Sequence, residues 1–250
     1  IGKDCLLMAV VKADGYGHGA ETVAKAALIG GADSLGVATV EEGIQLRNAG
    51  LKCKILILGN LINASELHTA LCWDLIPTIS GIREAILCNN IAEKVTKKFV
   101  IHLKVDTGMT RLGCDCNDAQ QLISKIDNLE NVSLKGIYSH LAIADSKTGE
   151  STSKNFTKTQ LNRFEKVLNN LSKKNRPICK HIANSAGTLS DSCLHFDMVR
   201  VGLSLYGYFP VNDCEPEVKL TPALKVKARV TLIREVEKGT GVGYGHFFKT

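Results

Sequence analysis

Short apolar runs separated by longer segments of helical spacing dominate the pattern along the chain. Residues 6–11 (LLMAVV) form a continuous apolar run, which is typical of a strand buried on both faces. Comparable runs predict seven further strands, at residues 34–38, 54–58, 74–79, 99–105, 134–140, 178–183 and 198–205.

The segments between these runs predict helices. Thr39 and Glu42 have the spacing of a capping box, in which the threonine hydroxyl accepts from the Glu42 amide while the Glu42 side chain reaches back. Gly50 is the expected end of that helix. Before Pro177, one apolar helical face is predicted by the spacing of Leu161, Phe164, Leu168 and Leu171.

Strand–helix alternation repeated eight times predicts parallel strands joined by right-handed crossovers. The fold we predict is therefore α/β, a (β/α)8 barrel of the TIM type. A doubly wound sheet stays open as an alternative. It calls for a Gly-rich phosphate turn after the first strand, and no G-x-G-x-x-G motif occurs there.

The pattern changes after the eighth strand. Residues 209–220 carry two prolines and read as a linker, and residues 223–237 alternate as a solvent-facing antiparallel strand does. We expect the barrel domain over residues 1–215 and the beginning of a β-rich C-terminal domain, incomplete in this chain, over residues 216–250. The polar stretch at residues 145–155 is expected to be a loop.

Composition and charge narrow the function classes. With 44% hydrophobic and 22% charged residues the chain is globular, not disordered. The formal net charge of +6 comes from scattered basic residues, so we expect a small-molecule substrate and no nucleic-acid partner. The nine cysteines form no C-x-x-C pair, which favours reduced thiols in a cytoplasmic protein and no metal site. No apolar run approaches the ~20 residues of a membrane span.

Functional groups of a (β/α)8 barrel collect where the strands end. Lys12 directly follows the first apolar run, where its charge is costly unless it is paired or removed. Two interpretations stay open: a side chain that snorkels out of the strand end, or an amine that condenses with an aldehyde. Lys104, on the fifth strand, is expected to pair with Asp106 or Asp14. Polar residues after strands seven and eight suit phosphate.

Four runs in fixed order resemble alanine racemase, a fold-type III pyridoxal-phosphate enzyme: VVKADGYGHG, LKVDTGMTRLG, HIANSAG and MVRVGLSLYG. The resemblance extends through essentially the whole chain, including GVGYG near the end. It departs from the family pattern at Thr110, where glycine is common, and at Asp14 and Gly15, where Asn-Ala is frequent. On this resemblance we expect the family's initial segment to be cut short in this chain and the rest of its second domain to lie beyond Thr250.

The resemblance implies that the cofactor is pyridoxal 5′-phosphate. It carries over as cofactor-binding residues Lys12, Tyr16, His140, Asn184, Ser185, Arg200 and Gly202. Among these, Lys12 is expected to hold the cofactor covalently, and Arg200 to face the pyridine nitrogen with His140 bonded behind it. The phosphate is expected to contact Tyr16, Ser185 and the backbone of Gly202.

The activity that the resemblance implies is interconversion of L-alanine and D-alanine, an isomerase reaction that supplies D-alanine for peptidoglycan. Exchange of the Cα proton between two faces needs two acid/base groups. The resemblance assigns these to Lys12 and Tyr244, the latter supplied by the partner protomer of a homodimer. Arg111 and Met109 are expected at the substrate carboxylate. In this family a lysine at the position of Lys104 can carry a carbamate.

Two other functions stay open. One is a broader racemase that also accepts serine. The other is a cofactor carrier without turnover, although such proteins have neither a second domain nor an opposing tyrosine. If the chain ends at Thr250, we expect weak dimerisation and negligible activity despite cofactor binding.

Overall fold

One parallel sheet organises the described part of the chain, which comprises residues 1–144, 150–169, 171, 177–210 and 218–250 of a computed structural model. Its strands are β1 (Leu6–Val10), β2 (Ser34–Val37), β3 (Lys54–Asn60), β4 (Ile76–Ile79), β5 (Phe99–Asp106), β6 (Cys114–Asp115), β7 (Val132–Tyr138), β8 (Cys179–His181) and β9 (Met198–Val201). The short β6 pairs only with β5, and the other eight confirm the eight predicted strands.

The eight long strands close into a barrel. Their order is β8-β7-β5-β4-β3-β2-β1-β9, with parallel pairing throughout. The ring is completed by hydrogen bonds from the Asp197 amide to the Lys180 carbonyl (3.1 Å) and from the Arg200 amide to the Ala183 carbonyl (3.0 Å). Because the first and last strands meet, the barrel prediction is confirmed and the doubly wound alternative is wrong.

Helices follow most of the strands. They are α1 (Lys12–Tyr16), α2 (Ala20–Ile29), α3 (Val40–Asn48), α4 (Ala64–Cys72), α5 (Ile82–Lys94), α6 (Ala119–Ile126), α7 (Glu150–Asn169) and α8 (Ser185–Ser190). The first of them, α1, is a short turn with left-handed backbone angles at residues 13–15. After β9 the described residues contain a 3₁₀ turn, Leu203–Tyr206, and no α-helix. The strand–helix alternation thus holds for seven of the eight strand–helix units, and the eighth unit, after β9, lacks the α-helix in the described residues.

The capping signals of α3 are largely confirmed. Thr39 Oγ1 accepts from the Glu42 amide at 3.3 Å, and the helix ends two residues before Gly50, whose φ is +83°. The Glu42 carboxylate does reach back, but it bonds the amide of Ala38 at 2.6 Å and the amide of Ala13 at 2.7 Å. One side chain therefore joins the ends of β1 and β2.

The long helix α7 confirms the predicted apolar face and corrects the predicted loop. Phe164 and Leu168 are buried, and the Phe164 ring meets the Phe196 ring edge-on at 5.5 Å. The helix already begins at Glu150, so the loop prediction is wrong for residues 150–155, while residues 145–149 lie outside the described part. Apolar packing along this face stabilises a helix through a polar sequence.

The region after the barrel departs from expectation. Residues 223–237 form no strand, because no strand among the described residues pairs with them. Their apolar side chains are exposed, as for Val226 and Ile233. The strands observed in the described C-terminal region are the antiparallel pair β10 (Gly241–Val242) and β11 (Phe248–Lys249). The domain boundary at 215/216 stays a prediction, and residues 211–217 of the predicted linker lie outside the described part.

The eight cysteines in the described part of the chain are unpaired, and Cys214 lies outside this set. No helix in the same residues is long and apolar enough to span a bilayer.

Candidate active site

A left-handed turn presents Lys12 at the end of β1. Ala13, Asp14 and Gly15 have φ values of +51°, +52° and +61°, a conformation that costs residues with a Cβ roughly 1–2 kcal/mol each. The Ala13 amide bonds the Glu42 carboxylate, and Asp14 Oδ1 accepts from the amide of Ala20 at 2.8 Å. These bonds offset the strain and fix the backbone on which the lysine stands.

Lys104 lies buried in the same end of the barrel, on β5. Burial lowers its pKa to about 8, helped by the positive charges of Arg111, Arg200 and Lys12 and opposed by Asp106. Within the described residues Lys104 forms no ion pair with Asp106 or Asp14, so that prediction is wrong. Its ammonium instead lies 5.5 Å from the centroid of the Tyr138 ring. The site therefore concentrates positive charge with little acidic compensation.

Arg200 lies at the centre of this cluster and is almost fully buried. Its Nη2 donates to the Ser139 carbonyl at 2.7 Å and to the Ile182 carbonyl at 3.2 Å, and lies 3.3 Å from His140 Nδ1. The predicted contact with His140 is confirmed. The guanidinium also lies 5.0 Å from the Tyr138 ring centroid. Neutral groups thus hold a buried cation, and burial lowers its pKa to about 10.

His181 is a polar partner of Arg200 that the sequence prediction did not include. Its Nδ1 lies 2.9 Å from Arg200 Nη1, and its Nε2 lies 3.1 Å from His102 Nδ1. The ring also stacks on Tyr138, with centroids 4.7 Å apart. The signal was present in the sequence, because a histidine inside an apolar strand run must find a partner when it is buried.

A second cluster has the character of an anion cradle. The Ser185 hydroxyl, buried at the start of α8, accepts from the amides of Gly202 (3.0 Å) and Ser204 (3.2 Å). A Cβ on Gly202 would lie 2.7 Å from the Tyr16 hydroxyl, so that hydroxyl reaches close to the Gly202 backbone. The buried Ser204 hydroxyl has no partner among the described residues. Sequence reasoning missed Ser204, since only the fold brings it to Ser185.

Tyr16 is held in place by another aromatic ring. Its ring lies 4.9 Å from that of Tyr206, centroid to centroid, and the Tyr206 hydroxyl donates to the Val10 carbonyl at 3.1 Å. Partial burial raises the pKa of Tyr16, so this phenol is a neutral hydrogen-bond donor near neutral pH. It is therefore well suited to an anion.

Asn184 caps the helix that begins beside the Ser185 cradle. Its Oδ1 accepts from the Gly187 amide at 3.0 Å as the N-cap of α8, and its Nδ2 donates to the Leu141 carbonyl at 3.4 Å. Both polar atoms are therefore engaged within the protein. Its predicted role at a cofactor stays a prediction.

The loop after β5 carries the two residues predicted at the substrate. Asp106 Oδ1 accepts from the amides of Gly108 (2.8 Å) and Thr110 (3.1 Å), which holds the loop in a tight turn around Met109. Arg111 is exposed, and its positive charge contributes to lowering the pKa of Lys104, so its guanidinium lies within electrostatic range of that amine.

Tyr244 is the predicted residue that the structure does not bring to the others. It lies in a 3₁₀ turn between β10 and β11, and its side chain is fully exposed. It therefore makes no packing contact with the barrel cluster, and its proposed supply by a partner protomer remains a prediction.

The donor set fits pyridoxal 5′-phosphate. The amine of Lys12 suits the aldehyde, and hydroxyl and amide groups of Tyr16, Ser185 and Gly202 suit the phosphate. The buried Ser204 hydroxyl, which has no partner among the described residues, leaves a further donor for an oxygen-rich ligand, and the Tyr16 hydroxyl lies close to Gly202.

Comparison with known proteins agrees with this chemistry. The family model "Alanine racemase, N-terminal domain" matches residues 1–210. The alanine racemase of Prochlorococcus marinus is 59% identical over 249 residues, and that of Synechocystis sp. is 44% identical over 249 residues. Each alignment covers 99% of this chain and 64% or 66% of the relative, respectively.

A solved structure extends the likeness to three dimensions. Alanine racemase of Clostridium difficile 630 superposes with a TM-score of 0.86 at 34% identity, covering 100% of this chain and 64% of that one. The chain thus spans just under two thirds of the length of these relatives. With its closed barrel, its Lys12–Arg200 cluster and a family match over residues 1–210, the chain belongs to the alanine racemase family.

Proposed function

We propose that this protein is a pyridoxal-phosphate-dependent isomerase that interconverts L-alanine and D-alanine with Lys12 and Tyr244 as its two acid/base groups. One observation carries the proposal. Among the described residues, the hydrogen-bond partners of the buried Arg200 cation are all neutral groups, and it lies at the barrel end where Lys12 follows β1. An acidic side chain at this place would favour protonation of a cofactor ring nitrogen. The Arg200 guanidinium, which is already a cation, does not favour it.

The proposed role of the cradle is to anchor the cofactor phosphate. The Tyr16 hydroxyl, the backbone amides of Gly202 and Ser204 and the Ser185 hydroxyl would be its hydrogen-bond donors. Lys12 would hold the other end of the cofactor covalently through its amine. The bound cofactor supplies an electron sink that acidifies the substrate Cα–H bond.

Arg200 is proposed to face the pyridine nitrogen. A guanidinium keeps its protons, so it donates to that nitrogen without protonating it. His140, whose pKa burial lowers to about 3, is neutral near pH 7 and accepts from Arg200. A ring that stays unprotonated is a weaker electron sink, which limits transamination and suits simple proton exchange.

Two groups on opposite faces then exchange the Cα proton. Lys12 removes or returns it on one face, and Tyr244 of a partner protomer does so on the other. The exposure of Tyr244 supports this division, since its hydroxyl is free to enter a second subunit. Arg111 and the Met109 backbone orient the substrate carboxylate. We infer a cytoplasmic homodimer that supplies D-alanine for peptidoglycan.

Isotope exchange tests the activity directly. L-alanine incubated in deuterium oxide with full-length protein and pyridoxal phosphate is expected to give D-alanine carrying deuterium at Cα, followed by NMR and chiral chromatography. Absence of exchange, with cofactor demonstrably bound, would count against the proposal.

Covalent attachment is tested by borohydride reduction and peptide mapping. The pyridoxyl label is expected on Lys12 and is expected to be lost in Lys12→Ala. Lys135→Ala, at an exposed lysine on β7, is the matched control and retains the label. A label on any other lysine contradicts the assignment.

A cofactor carrier without turnover is the second candidate, favoured by the separation of Tyr244 from the barrel cluster. Tyr244→Phe in the full-length protein distinguishes the two. Under the racemase proposal the variant binds cofactor and loses racemisation by orders of magnitude, whereas Tyr208→Phe retains both. A carrier shows no racemisation even without substitution. Comparing rates on alanine and serine tests the broader racemase.

A further inference from the structure

The buried amide of Gln160 joins two loops at the catalytic end of the barrel. Gln160 lies on α7 and is fully buried. Its Nε2 donates to Thr107 Oγ1 at 3.1 Å and to the His140 carbonyl at 3.0 Å, and its Oε1 accepts from the Ala142 amide at 2.9 Å. Thr107 follows β5, whereas His140 and Ala142 follow β7. The side-chain amide of Gln160 therefore bonds to the ends of two neighbouring strands at once.

The contact continues toward Arg200. Thr107 Oγ1 lies 2.7 Å from the Ser139 hydroxyl, and the Ser139 carbonyl accepts from Arg200 Nη2 at 2.7 Å. The polar chain thus runs from α7 through Thr107 to the residue that holds the central guanidinium. Buried polar networks of this kind hold one arrangement, because each lost bond leaves a buried group without a partner.

Two neighbours of Gln160 on the same helical face act on the same loop. Arg163 Nη1 donates to the Thr107 carbonyl at 3.0 Å. Phe156 lies against Gly108, where a Cβ would come within 2.8 Å of its ring. Spacings of four and three residues place Phe156, Gln160 and Arg163 on one side of α7. Met109 and Arg111 follow Gly108 in the same loop. Side chains of α7 therefore contact this loop, and the Asp106 carboxylate accepts hydrogen bonds from its amides.

Docking of α7 on the barrel does not itself require this amide. Phe164, Val167 and Leu168 are buried farther along the helix and provide the apolar contact. An apolar residue would leave the Ala142 amide and the His140 carbonyl unpaired.

We propose that Gln160, acting through Thr107, is a positioning residue that sets where the loop carrying Met109 and Arg111 stands relative to His140 and Arg200. The inference rests on the proposed function, and it identifies the carboxylate side of the substrate as the part that Gln160 controls. The phosphate cradle lies on α8 and beyond β9, and the hydrogen bonds of Gln160 run to Thr107, His140 and Ala142, so we expect this contact to leave the phosphate anchor unchanged.

The test uses full-length holoenzyme and four variants. Gln160→Glu keeps the shape and the acceptor but loses both donated bonds. Thr107→Val removes the hydroxyl between Gln160 and Ser139 and leaves α7 untouched. Thr107→Ser keeps a hydroxyl at this position and is the control for Thr107→Val. Gln121→Glu replaces an exposed glutamine on α6 and is the control for Gln160→Glu.

Propionate, which is alanine without its amino group, probes the carboxylate subsite by NMR titration. We expect its dissociation constant and the KM for alanine to rise about tenfold in Gln160→Glu and Thr107→Val, with kcat within about threefold. Pyridoxal-phosphate affinity is expected to stay within about twofold, and Thr107→Ser and Gln121→Glu to behave as the unsubstituted protein. If Gln160→Glu does not fold, the propionate affinity and KM of Thr107→Val test the inference alone.

Two results would overturn the inference and are distinguishable. If Thr107→Val lowers the melting temperature but leaves propionate affinity and KM unchanged, the contact is structural only. If the unsubstituted holoenzyme binds cofactor but neither propionate nor alanine, the proposed function fails and takes the inference with it.

Discussion

Arg200 Nη1 lies 2.9 Å from His181 Nδ1, and this contact determines the protonation of two buried histidines. A guanidinium only donates, so His181 Nδ1 accepts and the His181 proton is on Nε2. That Nε2 lies 3.1 Å from His102 Nδ1, which must accept in turn. Both rings are therefore neutral. Burial, together with the charge of Arg200, lowers the pKa of His181 well below its usual value and that of His102 to about 3.

Neutral buried histidines make the stability of the barrel sensitive to acid. His102 and His140 have a pKa of about 3 in the folded chain, against about 6.5 when unfolded. Between these values the unfolded chain binds more protons, so the stabilisation is complete above pH 6.5 and is lost as the pH falls toward 3. Each histidine contributes a slope of about 1.4 kcal/mol per pH unit in that window. Urea unfolding at pH 7, 6 and 5 measures it.

Single substitutions separate these histidines from other titrating groups. His102→Gln is expected to flatten the slope between pH 7 and 5 by one histidine's share, whatever its effect at pH 7. His68→Gln, at an exposed position on α4, is the control and keeps the full slope. An unaltered slope in the His102 variant would contradict the argument.

Glu42 is expected to stabilise the left-handed turn that carries Lys12. Its two carboxylate oxygens accept from the amides of Ala13 and Ala38, and glutamine offers one acceptor and one donor in their place. Glu42→Gln therefore leaves one amide facing a donor. The free energy of unfolding is expected to fall by about 1–3 kcal/mol, and hydrogen exchange at the Ala13 amide to accelerate. Glu41→Gln, exposed on the same turn, changes neither.

The two serines of the cradle are expected to respond oppositely to removal of their hydroxyls. The Ser185 hydroxyl accepts from two buried amides, so Ser185→Ala in the cofactor-free protein costs about 1–3 kcal/mol. The Ser204 hydroxyl is buried without a partner among the described residues, so Ser204→Ala is expected to stabilise the same protein by about 1 kcal/mol. Thermal unfolding of both variants without cofactor measures the two changes in stability, which are expected to have opposite signs. Equal destabilisation would show that Ser204 has a partner.

The barrel was predictable because its signal is local. A strand buried on both faces needs a continuous apolar run, and each of the eight runs became a strand. The Thr39 cap and the apolar face around Phe164 follow rules that act within one helix. Residues 223–237 show the limit, because alternation describes one face of a strand but does not provide the neighbour that makes it one.

The candidate site was predictable only in part, and for a different reason. Lys12, Ser185 and Arg200 stand in motifs at strand ends, and the fold brings them to one end of the barrel. The bond of Glu42 to the Ala13 amide and the place of Ser204 beside Ser185 became visible only in three dimensions, since the partners lie on other elements. Long-range hydrogen bonds leave no periodic trace in a sequence.

Lys104 is expected to accept carbon dioxide as a carbamate. Its pKa of about 8 means that about half of its amines are neutral at pH 8 and about a tenth at pH 7. A neutral amine adds carbon dioxide and releases one proton, which replaces a cation beside Arg111 and Arg200 by an anion. The nearby positive charges that lower the Lys104 pKa then favour the product.

Labelled bicarbonate measures this directly. Full-length protein in ¹³C-bicarbonate at pH 8 is expected to show a carbamate carbonyl signal by NMR that weakens as the pH falls to 6. The signal is expected to vanish in Lys104→Met and to persist in Lys135→Met, whose lysine is exposed on β7. Persistence in Lys104→Met would assign the carbamate elsewhere. Loss of the signal is expected to accompany weaker propionate binding, because under the proposed function the carbamate anion would orient Arg111 toward the substrate carboxylate.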